Sequence, residues 1–233
     1  MNADQTIRAT GKWFAAAAGV AAGSYATYVG LTWFRFGSPE AAKGDDADAA
    51  LDRFMPRYDV VDRHKVQVAA SAETSLSAAL DLDLQRSALI RAIFKGREWI
   101  MRSKPDERVR PKGFLEEMKS LGWGVLTEEP GHEFVMGGVT KPWEPDPVFH
   151  ALPPDEFAAF REPGYVKIIW TLRADPAGEQ NSVFRTETRA VATDAEARRK
   201  FRWYWSFLSP GIILIRTVML AALKAEAERR YRI

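Results

Sequence analysis

Residues 165–174, YVKIIWTLRA, and residues 182–192, SVFRTETRAVA, joined by the turn segment DPAGEQN, decide how this chain folds. In the first run Val166, Ile168, Trp170 and Leu172 share one face, and Lys167, Ile169, Thr171 and Arg173 share the other. In the second, Phe184, Thr186, Thr188 and Ala190 oppose Arg185, Glu187 and Arg189. Successive side chains on a strand point to opposite sides, so this alternation predicts an antiparallel sheet with one covered and one wet face. The charges on the second face then read as a solvated surface with cross-strand ion pairs.

Upstream, WGVLTEE and HEFVMGGVT flank Pro130-Gly131, a turn signal between two further β-prone runs. HKVQVA at 64–69 alternates as another strand and leads into SAETSLSAALDLDL, a helix opened by Ser71. Residues 85–101 place Leu89, Ile93, Trp99 and Ile100 at near-helical spacing between basic residues. A short helix, FLEEMKSLG, stops at Gly122 as a helix C-terminal glycine should. Downstream, Thr193-Asp194-Ala195-Glu196 starts a long closing helix, with a kink or break expected at Pro210. Its apolar stretch Ile212 to Leu223 is short and interrupted by Arg216, so packing lengthwise on the sheet is expected over a second membrane span.

The N-terminal region differs in kind. Trp13 to Phe34 is a run of 22 residues without a charge, bounded by Trp13-Phe14 and Trp33-Phe34 and then by Lys12 and Arg35. As a helix it would be about 33 Å long, enough to cross a hydrocarbon core. Paired aromatics and flanking cations at both ends are the layout of a membrane span or anchor. A helix buried on the soluble domain and a cleaved signal are the alternatives. A signal core, however, is shorter and lacks the second aromatic pair. Arg8 and Lys12 on one side balance Arg35 and Lys43 on the other, so single-pass orientation is undecided, with a cytoplasmic location as the alternative. The expected division is an apolar helix over 1–36, a polar linker over 37–52 and a folded domain over 53–233. The linker includes the solvated cluster Asp45-Asp46-Ala47-Asp48.

Composition removes several chemistries. Thirty-three basic against 31 acidic residues argue against a nucleic-acid partner, and the absence of cysteine excludes disulfides and thiolate nucleophiles or metal ligands. His64, His132 and His150 stand at no metal-ligand spacing, and no phosphate loop, dinucleotide motif or nucleophile elbow is present. No metal site, no catalytic residue and no cofactor is expected.

The order strand, helices, antiparallel strands, long C-terminal helix resembles the START-like, Bet v 1-like superfamily, also labelled with polyketide cyclases. The matching pieces are HKVQVAASAET, WGVLTEEPGHEFVMGG, REPGYVKIIWTL with SVFRTETRAVATD, and EARRKFRWYWSFLSPGIILIR. The resemblance covers about residues 58–230 and looks closest to bacterial members that carry an N-terminal apolar helix. It implies an α+β helix-grip fold: a curved antiparallel sheet wrapped on a long C-terminal helix. Members hold a lipid, isoprenoid, sterol or polyketide in a cavity between the two. On that basis the expected function is a membrane-associated binding or carrier domain for a hydrophobic ligand, with the membrane met through residues 13–34. The expected lining residues are Phe134, Met136, Trp170, Phe184, Thr186, Thr188, Trp205 and Ile212. An aromatase/cyclase-type enzyme and a structural module filled by its own aromatics are the rival readings. The Thr186 and Thr188 hydroxyls would orient a ligand's polar end. Trp203, Tyr204 and Trp205 beside Arg198, Arg199, Lys200 and Arg202 fit core packing or a membrane surface better than stacked bases.

Overall fold

The computed structural model describes residues 3–104 and 111–232. The side chains of residues 3–12, Phe14 and Ala15 lie outside the described set, and so do the Arg8, Lys12 and Phe14 positions of the expected N-terminal belt.

Five strands form one antiparallel sheet in the order β1-β5-β4-β3-β2. They are β1 (Val60–Val68), β2 (Gly124–Glu129), β3 (Glu133–Thr140), β4 (Val166–Pro176) and β5 (Ser182–Ala192). β1 starts four residues before the expected His64, which brings Asp62 into the sheet. Among the described residues seven α-helices accompany it: α1 (Ala3–Arg35), α2 (Ala49–Phe54), α3 (Ala72–Leu80), α4 (Ala88–Met101), α5 (Phe114–Ser120), α6 (Pro154–Ala159) and α7 (Ala195–Tyr231). Local chemistry starts them. The Ser71 hydroxyl accepts from the Thr74 amide at 3.2 Å, and the Asp194 carboxylate accepts from the Glu196 and Ala197 amides at 2.7 and 2.9 Å. Gly122, at φ 96°, ends the α5 region; a side chain there would also run into the Phe149 carbonyl.

The strand parity read from the alternation is the parity observed. Thr188 pairs with Trp170 and Asp62, and Thr186 pairs with Leu172 and His64, so these six side chains share the face turned to α7. Here Phe134, Met136, Trp170, Leu172 and Phe184 pack against Leu220 and Leu223 of α7 and against α3 and Phe114. At the other end Val60, Val166 and Ala190 receive Phe201 and Trp205.

The opposite face is not wet. Leu51, Phe54 and Met55 from the α2 region and Phe157 from α6 cover Val135, Val139 and Ile169, forming a second apolar core on the back of the sheet. Of the expected solvated charges, Glu187 and Arg189 are buried beneath this layer, Arg189 only 1% exposed, and Arg185 is partly buried. The cross-strand pairing itself is present, since Arg63 of β1 faces Glu187 of β5 with Nε and Oε2 2.6 Å apart. The stretch expected as a solvated linker supplies the cover. Asp48 caps α2 by accepting from the Leu51 amide at 2.9 Å, and Asp46 pairs with Lys65 and Arg185. Buried charges of this kind persist only when paired, and these bring their partners with them.

The expected break at Pro210 does not occur, and α7 runs through it as one helix. A proline inside a helix removes one backbone hydrogen bond, at a cost of about 3 kcal/mol. Packing offsets it: the sheet holds α7 on one side and α1 holds it on another. The Tyr25 hydroxyl donates to the Phe207 carbonyl at 2.8 Å, and the Tyr28 hydroxyl meets Ser209 Oγ at 2.9 Å, on the turn that contains the proline.

Candidate functional site

Two polar assemblies flank the sheet, one on each face. On the inner face, Asp62 and His64 project from β1 beside Thr188 and Thr186 of β5, because alternate residues of paired strands share a side. Arg216, which interrupts the apolar stretch of α7, reaches into this row. It donates from Nη1 to Thr186 Oγ1 at 2.5 Å and from Nη2 to Thr188 Oγ1. Its Nε lies 3.4 Å from Asp62 Oδ2, an ion pair without hydrogen-bond alignment, and both atoms are buried with no hydrogen-bond partner. Burial depresses the Arg216 pKa, and the nearby Asp62 opposes that shift. The other Asp62 oxygen, Oδ1, stands 2.8 Å from His64 Nε2. Asp62 is buried, while the His64 side chain keeps 24% of its surface open to solvent. The assembly therefore holds a cation, a carboxylate-oriented imidazole and two hydroxyls within an otherwise apolar face.

The eight residues expected to line a cavity fall into three places. Phe134, Met136, Trp170 and Phe184 come together in the main core, all buried, with Trp170 against Phe114 and Trp123. Thr186 and Thr188 sit between that core and the next, with Arg216 on their hydroxyls. Trp205 and Ile212 pack at the far end with Phe201. The cyclase reading requires an ionisable group on this face; Asp62, His64 and Arg216 supply three that the expected lining did not include. Carrying the β1 alternation two residues upstream puts Asp62 in phase with Val66. An arginine interrupting the apolar run of a packed helix is a signal of the same kind.

On the outer face the charges form a lattice. Glu187 joins Arg63 and Arg189, each with an Nε–Oε separation of 2.6 Å, and Arg189 extends to Asp52 at 2.5 Å. Asp175 joins Arg173 at 3.0 Å and Arg185 at 2.5 Å. These arginines hold the Asp175 carboxyl below its ordinary value against the opposing effect of burial. A cavity of about 140 Å³ lies in this lattice, bordered by Asp46, Arg63, Lys65, Thr171, Arg173 and Arg185 among others. Next to it Glu133 accepts from Thr171 Oγ1 at 3.0 Å. Burial, together with the neighbouring Asp48 carboxylate, pushes the Glu133 pKa up to about 7. Lys167, buried beneath α6 with its Nζ 3.1 Å from the Ala158 carbonyl, is pushed down to about 8 by desolvation. Among the described residues no group of three metal-ligating side chains converges.

No family model matches the chain, and no curated protein matches its sequence. Solved structures do show similarity. A hypothetical protein from Helicobacter pylori is 7% identical, with a TM-score of 0.38 over 81% of this chain and 98% of its own. Norcoclaurine synthase from Thalictrum flavum, solved as a point mutant with a transition-state analogue, is 11% identical with a TM-score of 0.32. That match covers 71% of this chain and 94% of the other. An aromatase/cyclase from Streptomyces sp. R1128 is 16% identical, with a TM-score of 0.23 over 73% and 94%. The fold is a helix-grip. That description rests on the topology of this chain: helices inserted between β1 and β2, a β1-β5 pairing that closes the strand order, and one long helix across the sheet.

Proposed function

We propose that this chain is a membrane-attached helix-grip protein of the START-like type that binds an amphipathic hydrophobic ligand. The observation that carries the membrane part is the state of α1. Residues 16–27 are exposed, with Val20 at 70% and Trp13 before them at 77%, in a helix whose uncharged run extends to Phe34. A soluble helix turns its polar residues outward, whereas between Trp13 and Phe34 this one has no charged residue to turn. Its C-terminal third is fixed to α7 through Tyr25, Tyr28 and the stacking of Arg202 over Trp33 at 4.2 Å, so the attachment is close-coupled and not a loose leash.

Arg216 supports the ligand part. A buried cation with an unaligned ion pair is a receptor for the polar end of a ligand whose apolar remainder lies along α7. Membrane fractionation of the full chain tests the first part: it should sediment with membranes and lose that behaviour when residues 1–36 are deleted. Native mass spectrometry after mild detergent extraction tests the second, with a retained lipid or isoprenoid adduct expected. A freely soluble full chain, or only adduct-free protein from lipid-rich preparations, would overturn the corresponding part.

The Asp62–His64 pair favours a second reading, a cyclase-type enzyme. A carboxylate that orients an imidazole is what a general base requires. Conversion of a polyketide-like substrate that disappears in His64→Asn, with the adduct still bound, would establish it over simple carriage.

A further inference from the structure

Of the fourteen large apolar side chains exposed among the described residues, twelve lie on α1, α4 and α7. Both α1 and α4 pack on α7, and Ile93 of α4 abuts Gly211. Exposed apolar surface gathered on neighbouring elements marks a contact surface, whereas scattered single residues need no explanation. We propose that α4 and the exposed edge of α7 form a second membrane-contact surface, laid on an anionic phospholipid bilayer beside α1. This inference rests on the membrane reading of α1 given above.

The chemistry of α4 selects the occupant. Its inward side is apolar in the usual way, with Ile90 buried and Ile93 half-buried. Its exposed side mixes charge with large apolar groups: Trp99 is 83% exposed, Ile100 59% and Leu89 46%, beside the exposed Arg91 and Lys95. Around these, residues 88–104 carry Arg91, Lys95, Arg97, Arg102 and Lys104 against the single acid Glu98. Tryptophan and aliphatic residues flanked by cations are the composition of a helix lying in the headgroup region, with its charges set for anionic lipid. Trp203, Phe207 and Leu214 continue the apolar surface along α7, Trp203 and Phe207 stacked at 4.8 Å.

The absence of native cysteine makes the test direct. Single-cysteine full-length variants Trp99→Cys, Leu214→Cys, Gly19→Cys and, as a control on β2, Val125→Cys are reconstituted into vesicles of phosphatidylcholine with or without phosphatidylglycerol. Maleimide labelling rates are then compared with those in detergent. The expected result is a roughly tenfold or greater fall for Trp99→Cys and Leu214→Cys in phosphatidylglycerol vesicles. For Trp99→Cys the fall should be smaller in phosphatidylcholine alone, and Val125→Cys should not change. Protection of Gly19→Cys with Trp99→Cys as reactive as Val125→Cys would overturn the second surface and leave the α1 tether standing. Free reactivity of Gly19→Cys would instead overturn the tether. Lipid-independent protection of Trp99→Cys that grows with protein concentration would assign the surface to a protein partner and overturn the bilayer as its occupant.

Discussion

Arg216 of α7 stands 3.4 Å from Asp62 of β1, joining the closing helix to the edge strand through a buried ion pair. The Arg216 side chain keeps 14% of its surface and the Asp62 side chain 9%, so neither is solvated enough to stand alone. The pair and the two threonine hydroxyls link α7 to β1 and β5 between the two apolar clusters of the inner face. Replacing Arg216 by Met strands a buried carboxylate, and the unfolding free energy should fall by about 3 kcal/mol in urea titration. Adding Asp62→Asn removes that charge and should restore more than half of the loss. Strictly additive losses would show that the two residues are uncoupled.

Glu133 makes stability depend on pH. Its carboxyl ordinarily titrates near 4.5 and is raised to about 7 in the fold. Between those values the folded protein holds a proton that the unfolded chain has released. The stability from this group is therefore full below about pH 4.5 and is lost as pH climbs to 7. Glu133→Gln keeps an acceptor for Thr171 and removes the titration. The variant should melt above the parent protein at pH 8, with the two curves converging toward pH 5. Parallel curves would assign the pH dependence elsewhere.

Tyr25 and Tyr28 should act through α7. Substituting each by Phe deletes one hydroxyl contact, worth about 1 kcal/mol. Hydrogen exchange should quicken in residues 207–211 around Pro210 and in the facing part of α1, with the sheet unaffected. Unchanged exchange would mean that apolar contact alone holds the two helices together.

The back of the sheet should prove structural. Phe157 is fully buried against Leu126 and Gly137, where a side chain at position 137 would lie only 3.0 Å from its ring. Phe157→Ala should cost about 3–5 kcal/mol, a core-sized loss, by chemical denaturation. A loss below about 1 kcal/mol would mark α6 as a loosely seated cover.

What could be read from the residues follows the range of the interactions. Strand parity, the capping of α3 and α7 by Ser71 and Asp194, and the turns at Pro130-Gly131 and residues 175–181 are local, and the structure repeats them. The helical spacing of 85–101 was legible as well, but not which side of that helix meets protein, because Trp99 and Ile100 are as apolar as core residues. The site was half legible. Thr186 and Thr188 followed from alternation, whereas Arg216 was legible only as an interruption of an apolar stretch and Asp62 lay upstream of the strand as read, so their pairing needed the fold.

By itself, then, the sequence determined the period-2 faces of β4 and β5, the long closing helix, the uncharged run Trp13–Phe34 within α1 and the absence of cysteine chemistry. These depend on backbone geometry and composition, which are properties of short stretches of chain. Only the tertiary structure decided that both faces of the sheet are covered, that Asp46, Asp48 and Asp52 pair with arginines of the sheet, Asp48 alone of the three being buried, and that α1 locks onto the proline turn of α7. Arg189 meets Asp52 across 137 positions and Tyr25 meets Phe207 across 182. Such contacts join segments that only the folded chain brings together, and where one partner is buried, as Arg189 is, its charge is tolerable only once the other is in place.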